Sequence, residues 1–150
     1  MIKIFVLNGP NLNLLGQREK QHYGAFTLEE VKDYTQSKLS RKDIELDWWQ
    51  SNSESEIIEC IHKLLDENYH GLIINPAAFS HTSIAILDAL KMLKIPIIEV
   101  HLSNVYNREP FRHSMLTAQA SSIIMSGLGK NAYLFGVNAL LEEIEKKEKE

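Results

Sequence analysis

Residues 71–101 read GLIINPAAFSHTSIAILDALKMLKIPIIEVH, and their pattern decides the fold. Two short apolar runs, GLIIN (71–75) and PIIEV (96–100), flank a segment where Ile84, Leu87 and Leu90 recur at helical spacing. A nearly continuous apolar run suits a strand whose two faces are both covered by helices, and strand, helix, strand in this order suits a parallel pair joined by a crossover. The alternation continues in both directions. IKIFVL (2–7), IELDWW (44–49) and SSIIMS (121–126) read as further strands. Thr27 with Glu30, and Ser53 with Glu56, have the spacing of capping boxes at two further helix starts. After the second start, Ile57, Ile58, Ile61, Leu64 and Leu65 share one helical face, and these stripes are expected in the core.

IELDWW differs from the other runs because it alternates, with Ile44, Leu46 and Trp48 on one side and Glu45, Asp47 and Trp49 on the other, as at a sheet edge. The segment AYLFGVNALLEEIEKKEKE (132–150) reads as an amphipathic helix fading into a charged, solvated end. The expected architecture is α/β: a three-layer α/β/α sandwich around a five-stranded parallel sheet in flavodoxin-like order 2-1-3-4-5. One domain is expected to span 1–150, for a chain of 150 residues that is 44% hydrophobic and 24% charged.

The net charge of -4 and the scattering of 16 Lys and Arg argue against a nucleic-acid partner. No apolar run approaches the ~20 residues that span a bilayer, so no membrane partner is expected. Cys60 is the single cysteine, which excludes an intrachain disulfide framework, and Met1 leads directly into IKIFVLN without the features of a signal peptide. The expectation is a soluble chain in a reducing compartment.

In an open parallel sheet, ligands bind beyond the carboxyl ends of the strands where strand order reverses, here between the first and third strands. The first strand runs into Asn8 and GPN, the third ends at Asn75, and the fourth carries Glu99, His101 and Ser103. Roughly 18 residues separate the first strand from Thr27, and nearly as many separate the fourth from the fifth, longer than ordinary βα loops. Such connections usually form lids or binding loops. Gln17 to Gly24 are expected to form a lid carrying Arg18 and Tyr23, and the later connection carries Arg108 and Arg112. Cationic side chains on such segments point to an anionic ligand.

Glycine-rich phosphate cradles of the G-x-G-x-x-G and G-x-x-x-x-G-K-[ST] types are missing, which argues against a nucleotide cofactor. His81, His101 and His113 lack partners at metal-ligand spacing, so no metal is expected. Cofactor-free acid-base chemistry remains. Glu99 and His101 lie two apart on a strand and face the same way, as a carboxylate-oriented acid requires, although a histidine ending a strand is more often structural. Tyr23 is either a packing residue of its loop or a base whose phenolate Arg18 and Arg112 stabilise.

NGPNLNLLGQRE with YG, INPAAFSHTS, EVHLSN and REPFRH together resemble the type II 3-dehydroquinate dehydratases, in order and over almost the whole chain. The resemblance implies a lyase of the shikimate or quinate pathway, needing no cofactor, that converts 3-dehydroquinate to 3-dehydroshikimate by anti elimination of water through an enolate. It implies Tyr23 as proton acceptor, His101 as proton donor, Arg18 as stabiliser of the charged tyrosine and the transition state, and Glu99 as the residue orienting His101. Asn11 and Asn75 would hold substrate and an ordered water near the enolate oxygen, while His81, Leu102, Ser103 and Arg112 would contact substrate. Asp88 would approach a neighbouring subunit's site in a cytoplasmic dodecamer built of trimers.

Overall fold

The structure is a computed structural model that describes residues 1–17 and 25–150. Five parallel strands, β1 (Ile2–Asn8), β2 (Ile44–Gln50), β3 (Gly71–Asn75), β4 (Ile97–His101) and β5 (Ile123–Ser126), form one sheet in the order β2-β1-β3-β4-β5. The expected strand order therefore holds, with β2 at an edge. Among the described residues four α-helices follow β1, β2, β3 and β5 in turn: α1 (Leu28–Lys38), α2 (Glu54–Leu64), α3 (Ile84–Lys91) and α4 (Ala132–Glu148).

Side-chain alternation divides the core between the two faces. Ile4, Val6, Ile73, Ile98 and Val100 pack with Val31 of α1 and with Tyr133, Val137, Leu140 and Ile144 of α4. Leu7, Leu72, Ile74 and Ile97 pack with Ile57, Ile61 and Leu64 of α2 and with Ile86, Ala89 and Leu90 of α3. Both faces are thus apolar, which is why β1, β3 and β4 read as unbroken apolar runs. At the edge, Trp48 joins the first cluster and Trp49 the second, so the alternation of β2 serves two cores rather than one core and solvent.

Some local expectations are corrected. Ile84 is 63% exposed, because the buried stripe of α3 passes through Ile86, Leu87, Ala89 and Leu90, and the first residue of the helix turns outward. Leu65 is 44% exposed, since α2 ends at Leu64 and the helical face stops there. The β4 and β5 runs start later than their sequences suggest, at Ile97 and Ile123. Pro96 has no N–H to give to the ladder and contributes only its carbonyl, which accepts from the Leu72 amide. The Thr27 and Ser53 hydroxyls do cap α1 and α2, accepting from the Glu30 and Glu56 amides. Glu56 does not close a capping box: its carboxylate accepts from Ser51 Oγ at 2.5 Å, and Ser51 Oγ takes the Ser53 amide instead.

Candidate active site

The strand register puts the polar strand ends side by side. Asn8 pairs with Asn75 across β1 and β3, and Ile74 pairs with Glu99 across β3 and β4, so each chain crossing ends at the same height. A cavity opens there. Asn11, Asn75, His81 and His101 line it, together with Leu102, Ser103 and Arg112. These seven residues, drawn from the ends of β3 and β4 and from the connections after three strands, are brought together as expected from the switch-point rule.

His101 is 5% exposed, and its Nε2 lies 2.7 Å from Oε2 of Glu99, which is fully buried. A buried carboxylate is tolerated only when it is paired and fully hydrogen-bonded. Glu99 meets that demand with Ser80 Oγ donating to Oε2 at 2.9 Å and Thr117 Oγ1 donating to Oε1 at 2.5 Å. Because the carboxylate accepts at Nε2, the His101 ring carries its proton there and turns its other nitrogen away from Glu99. His81 stacks near it, ring centroids 6.1 Å apart. Burial holds the His81 imidazole below its usual pKa, and its Nδ1 lies 2.9 Å from the Ser114 carbonyl. A carbonyl only accepts, so Nδ1 carries the hydrogen and Nε2 is the acceptor.

The turn after β3 is built on close approach and strain. Gly9 donates its amide to the Asn75 carbonyl at 2.8 Å, and a Cβ there would lie 2.4 Å from the Pro76 carbonyl oxygen. Ala77 adopts a left-handed φ of 52°, sparsely populated for a residue with a Cβ, and gives its amide to Asn75 Oδ1 at 3.2 Å. Gly9→Ala is expected to drive the β1 and β3 turns apart. It should lower stability by about 1–3 kcal/mol, the usual cost of overpacking, and reduce turnover. Thermal unfolding and kcat/KM measured together check this; wild-type values in both would mean that the turns yield freely.

The β4–β5 connection is not an open loop but three short 3-10 turns, Val105–Asn107, Pro110–Arg112 and Leu116–Ala120. The last delivers Thr117 to Glu99. Leu102 and Ser103 are held through their carbonyls, which accept from the Gly129 and Gly127 amides. Arg112 reaches the cavity wall with its Nε 2.8 Å from Glu109 Oε2 and its guanidinium over the Phe111 ring. Arg108, a cation of the connection not singled out as a site residue, also lines the cavity, with Nη1 3.5 Å from Ser103 Oγ.

Arg18 and Tyr23, and the rest of the expected lid after Gln17, lie outside the described residues. Asp88 is exposed on α3 and does not line the cavity of its own chain. Cys60 lies on α2, and burial pushes its thiol up to about 11, which suits a small packing residue rather than a nucleophile. Among the described residues, no cluster of three or more His, Cys, Asp or Glu side chains is placed to hold a metal ion. No helix among them is long and apolar enough to cross a membrane.

A doubly wound parallel sheet with a buried carboxylate–imidazole pair and an amide floor at its switch point defines the class: an α/β protein equipped for acid-base chemistry on a small polar ligand. A family model described as dehydroquinase class II matches residues 2–141. The 3-dehydroquinate dehydratase of Clostridium perfringens (strain 13 / Type A) is 50% identical over 146 residues, covering 97% of this chain and 100% of that protein. The 3-dehydroquinate dehydratase of Vibrio cholerae serotype O1 (strain M66-2) is 48% identical over 146 residues, covering 97% of each chain. The crystal structure of type II dehydroquinase from Butyrivibrio crossotus DSM 2876 matches with a TM-score of 0.89 and 41% identity, covering 93% of this chain and 97% of that one. The chain belongs to the dehydroquinase class II family.

Proposed function

We propose that this protein is a hydro-lyase that removes water from 3-dehydroquinate to give 3-dehydroshikimate, in the shikimate or quinate pathway and in the cytoplasm, without metal or cofactor. The observation that carries the reading is the buried Glu99–His101 pair, 2.7 Å apart, on a cavity with Asn75 in its wall. In this reading the Tyr23 phenolate takes a proton from the carbon next to the ketone, and the electron pair moves onto the ketone oxygen as an enolate. The pair then returns to form the ring double bond while the hydroxyl on the next carbon takes a proton from Nδ1 of His101, whose Nε2–H stays on Glu99, and leaves as water. No electrons are gained or lost overall, so no redox partner is needed.

Glu99 holds the ring of His101 by its Nε2, leaving the other ring nitrogen for the ligand. Arg18 stabilises the Tyr23 anion and the transition state, while Asn11 and Asn75 hold a water at the enolate oxygen, where preorganised donors act most strongly. The amides of Leu102 and Ser103 and the Ser103 hydroxyl suit the substrate carboxylate, and His81 and Arg112 suit its remaining oxygens. The direct test is ultraviolet absorbance on adding 3-dehydroquinate. A conjugated enone absorbance should grow at a rate proportional to enzyme; its absence with folded protein would overturn the reading.

The same reading places Asp88 against a neighbouring subunit in a dodecamer of trimers. Its support is local: Ile84 and Met92, four residues to either side of Asp88, are 63% and 55% exposed, an apolar stripe of the kind subunit contacts cover. Sedimentation at micromolar concentration is expected to give the mass of twelve chains, and a monomer mass would remove Asp88 from the site.

A further inference from the structure

Behind the cavity floor, four hydrogen bonds run in one line. The Ala77 amide donates to Asn75 Oδ1 at 3.2 Å, and Asn75 Nδ2 donates to the Tyr133 hydroxyl at 3.0 Å. The Tyr133 hydroxyl donates to Asn8 Oδ1 at 2.5 Å, and Asn8 Nδ2 donates to the Trp49 carbonyl at 3.3 Å. The line joins β2, β1, α4 and the turn after β3, and Asn8, Asn75 and Tyr133 are 0%, 3% and 0% exposed.

Its two ends fix its direction. Trp49 contributes a carbonyl, which only accepts, so Asn8 must face it with the amide nitrogen and keep its oxygen for Tyr133. A hydroxyl has one proton, so once Tyr133 gives it to Asn8 only a lone pair is left for Asn75. Asn75 must then present nitrogen to Tyr133, which leaves its oxygen for the Ala77 amide, a group that only donates. Reversing the Asn75 amide would set a carbonyl against the Tyr133 lone pair and a nitrogen against the Ala77 N–H. Burial raises the Tyr133 pKa, so the hydroxyl keeps the proton on which this order depends. The ring is held in turn by Trp48, centroids 4.9 Å apart.

We infer that Tyr133 is a positioning residue for the reaction: through this directed line its hydroxyl fixes the amide orientation of Asn75, so that the floor meets the developing enolate with an N–H donor. Tyr133 itself does not line the cavity. The inference rests on the proposed dehydration and on Asn75 as part of its floor. It separates Tyr133 from an ordinary buried aromatic, whose loss would act on stability alone.

The test is a kinetic double-mutant cycle in the enone assay at saturating 3-dehydroquinate. Tyr133→Phe keeps the ring and removes the hydroxyl. Its kcat is expected to fall about tenfold, one hydrogen bond's worth, with KM changed by less than about twofold, since the oxyanion exists only after binding. In an Asn75→Ala background the same substitution should have no further effect on kcat, because Tyr133 acts through Asn75. Equal losses in both backgrounds, or an unchanged kcat in Tyr133→Phe, overturn the inference while leaving the dehydration intact. A folded wild-type chain that yields no enone sinks both. Should Tyr133→Phe fail to fold, Asn8→Ser breaks the line from its other side, with the same loss of kcat expected and an unchanged kcat again overturning the idea.

Discussion

His101→Ala is expected to lower kcat by about a thousandfold, within the range that a positioned general acid supplies. Without it the hydroxyl must leave as hydroxide into a cavity walled by side chains, where an unpaired anion is poorly stabilised. The fold should survive, because Glu99 keeps two of its three donors, Ser80 and Thr117, when the imidazole is gone. Some stability is lost, about 1–3 kcal/mol, the cost of taking one partner from a buried charged group. Steady-state kinetics in the enone assay, with circular dichroism and thermal unfolding on the same sample, separate the effects. A kcat within about tenfold of wild type in folded protein would show that His101 is not the acid.

The other large effect is expected from Tyr23→Phe, with turnover falling about ten-thousandfold, the upper end for loss of a positioned base. A phenol with a reference pKa near ~10 must be brought to about 7 to act as a base at neutral pH, and three units at ~1.36 kcal/mol each amount to about 4 kcal/mol. A nearby guanidinium in a closed site is able to supply an interaction of that size, which is the task proposed for Arg18. Phenylalanine has no proton acceptor at all, so the variant tests the base directly. Substrate binding, measured by calorimetry, should persist. Near-normal turnover would exclude Tyr23 as the base and point instead to a group within the described cavity.

The fold was legible because its signals are local. GLIIN and PIIEV are buried on both faces, and the Ile57–Ile61–Leu64 stripe turns onto the sheet as its spacing requires. The strand-end residues Asn75, Glu99 and His101 were legible for a related reason: once the order β2-β1-β3-β4-β5 is expected, the switch point names the strand ends that meet. The support behind them was not. Thr117 reaches Glu99 across 18 residues and Ser80 across 37, while Tyr133 reaches Asn75 across 58 and Asn8 across 125. No periodicity or capping rule encodes such pairings. Thr117 sits in the last of an irregular run of 3-10 turns, and Tyr133 reads as one more apolar position of α4. Ile84 failed for the opposite reason, since a local spacing rule could not say where the helix face ends.

The distribution of those supports along the chain bears on synthesis. Every described residue that lines the cavity lies between Pro10 and Arg112. A nascent chain that has just released Arg112 therefore holds the whole described wall, but not β5, α4, Thr117 or Tyr133. Its Glu99 carboxylate lacks a donor, and its Asn8 and Asn75 amides lack the hydroxyl between them. Contacts of such separation close late, and domains generally fold as units. The ribosome thus supplies the described cavity wall first and the groups that hold Glu99 and Asn75 in place last.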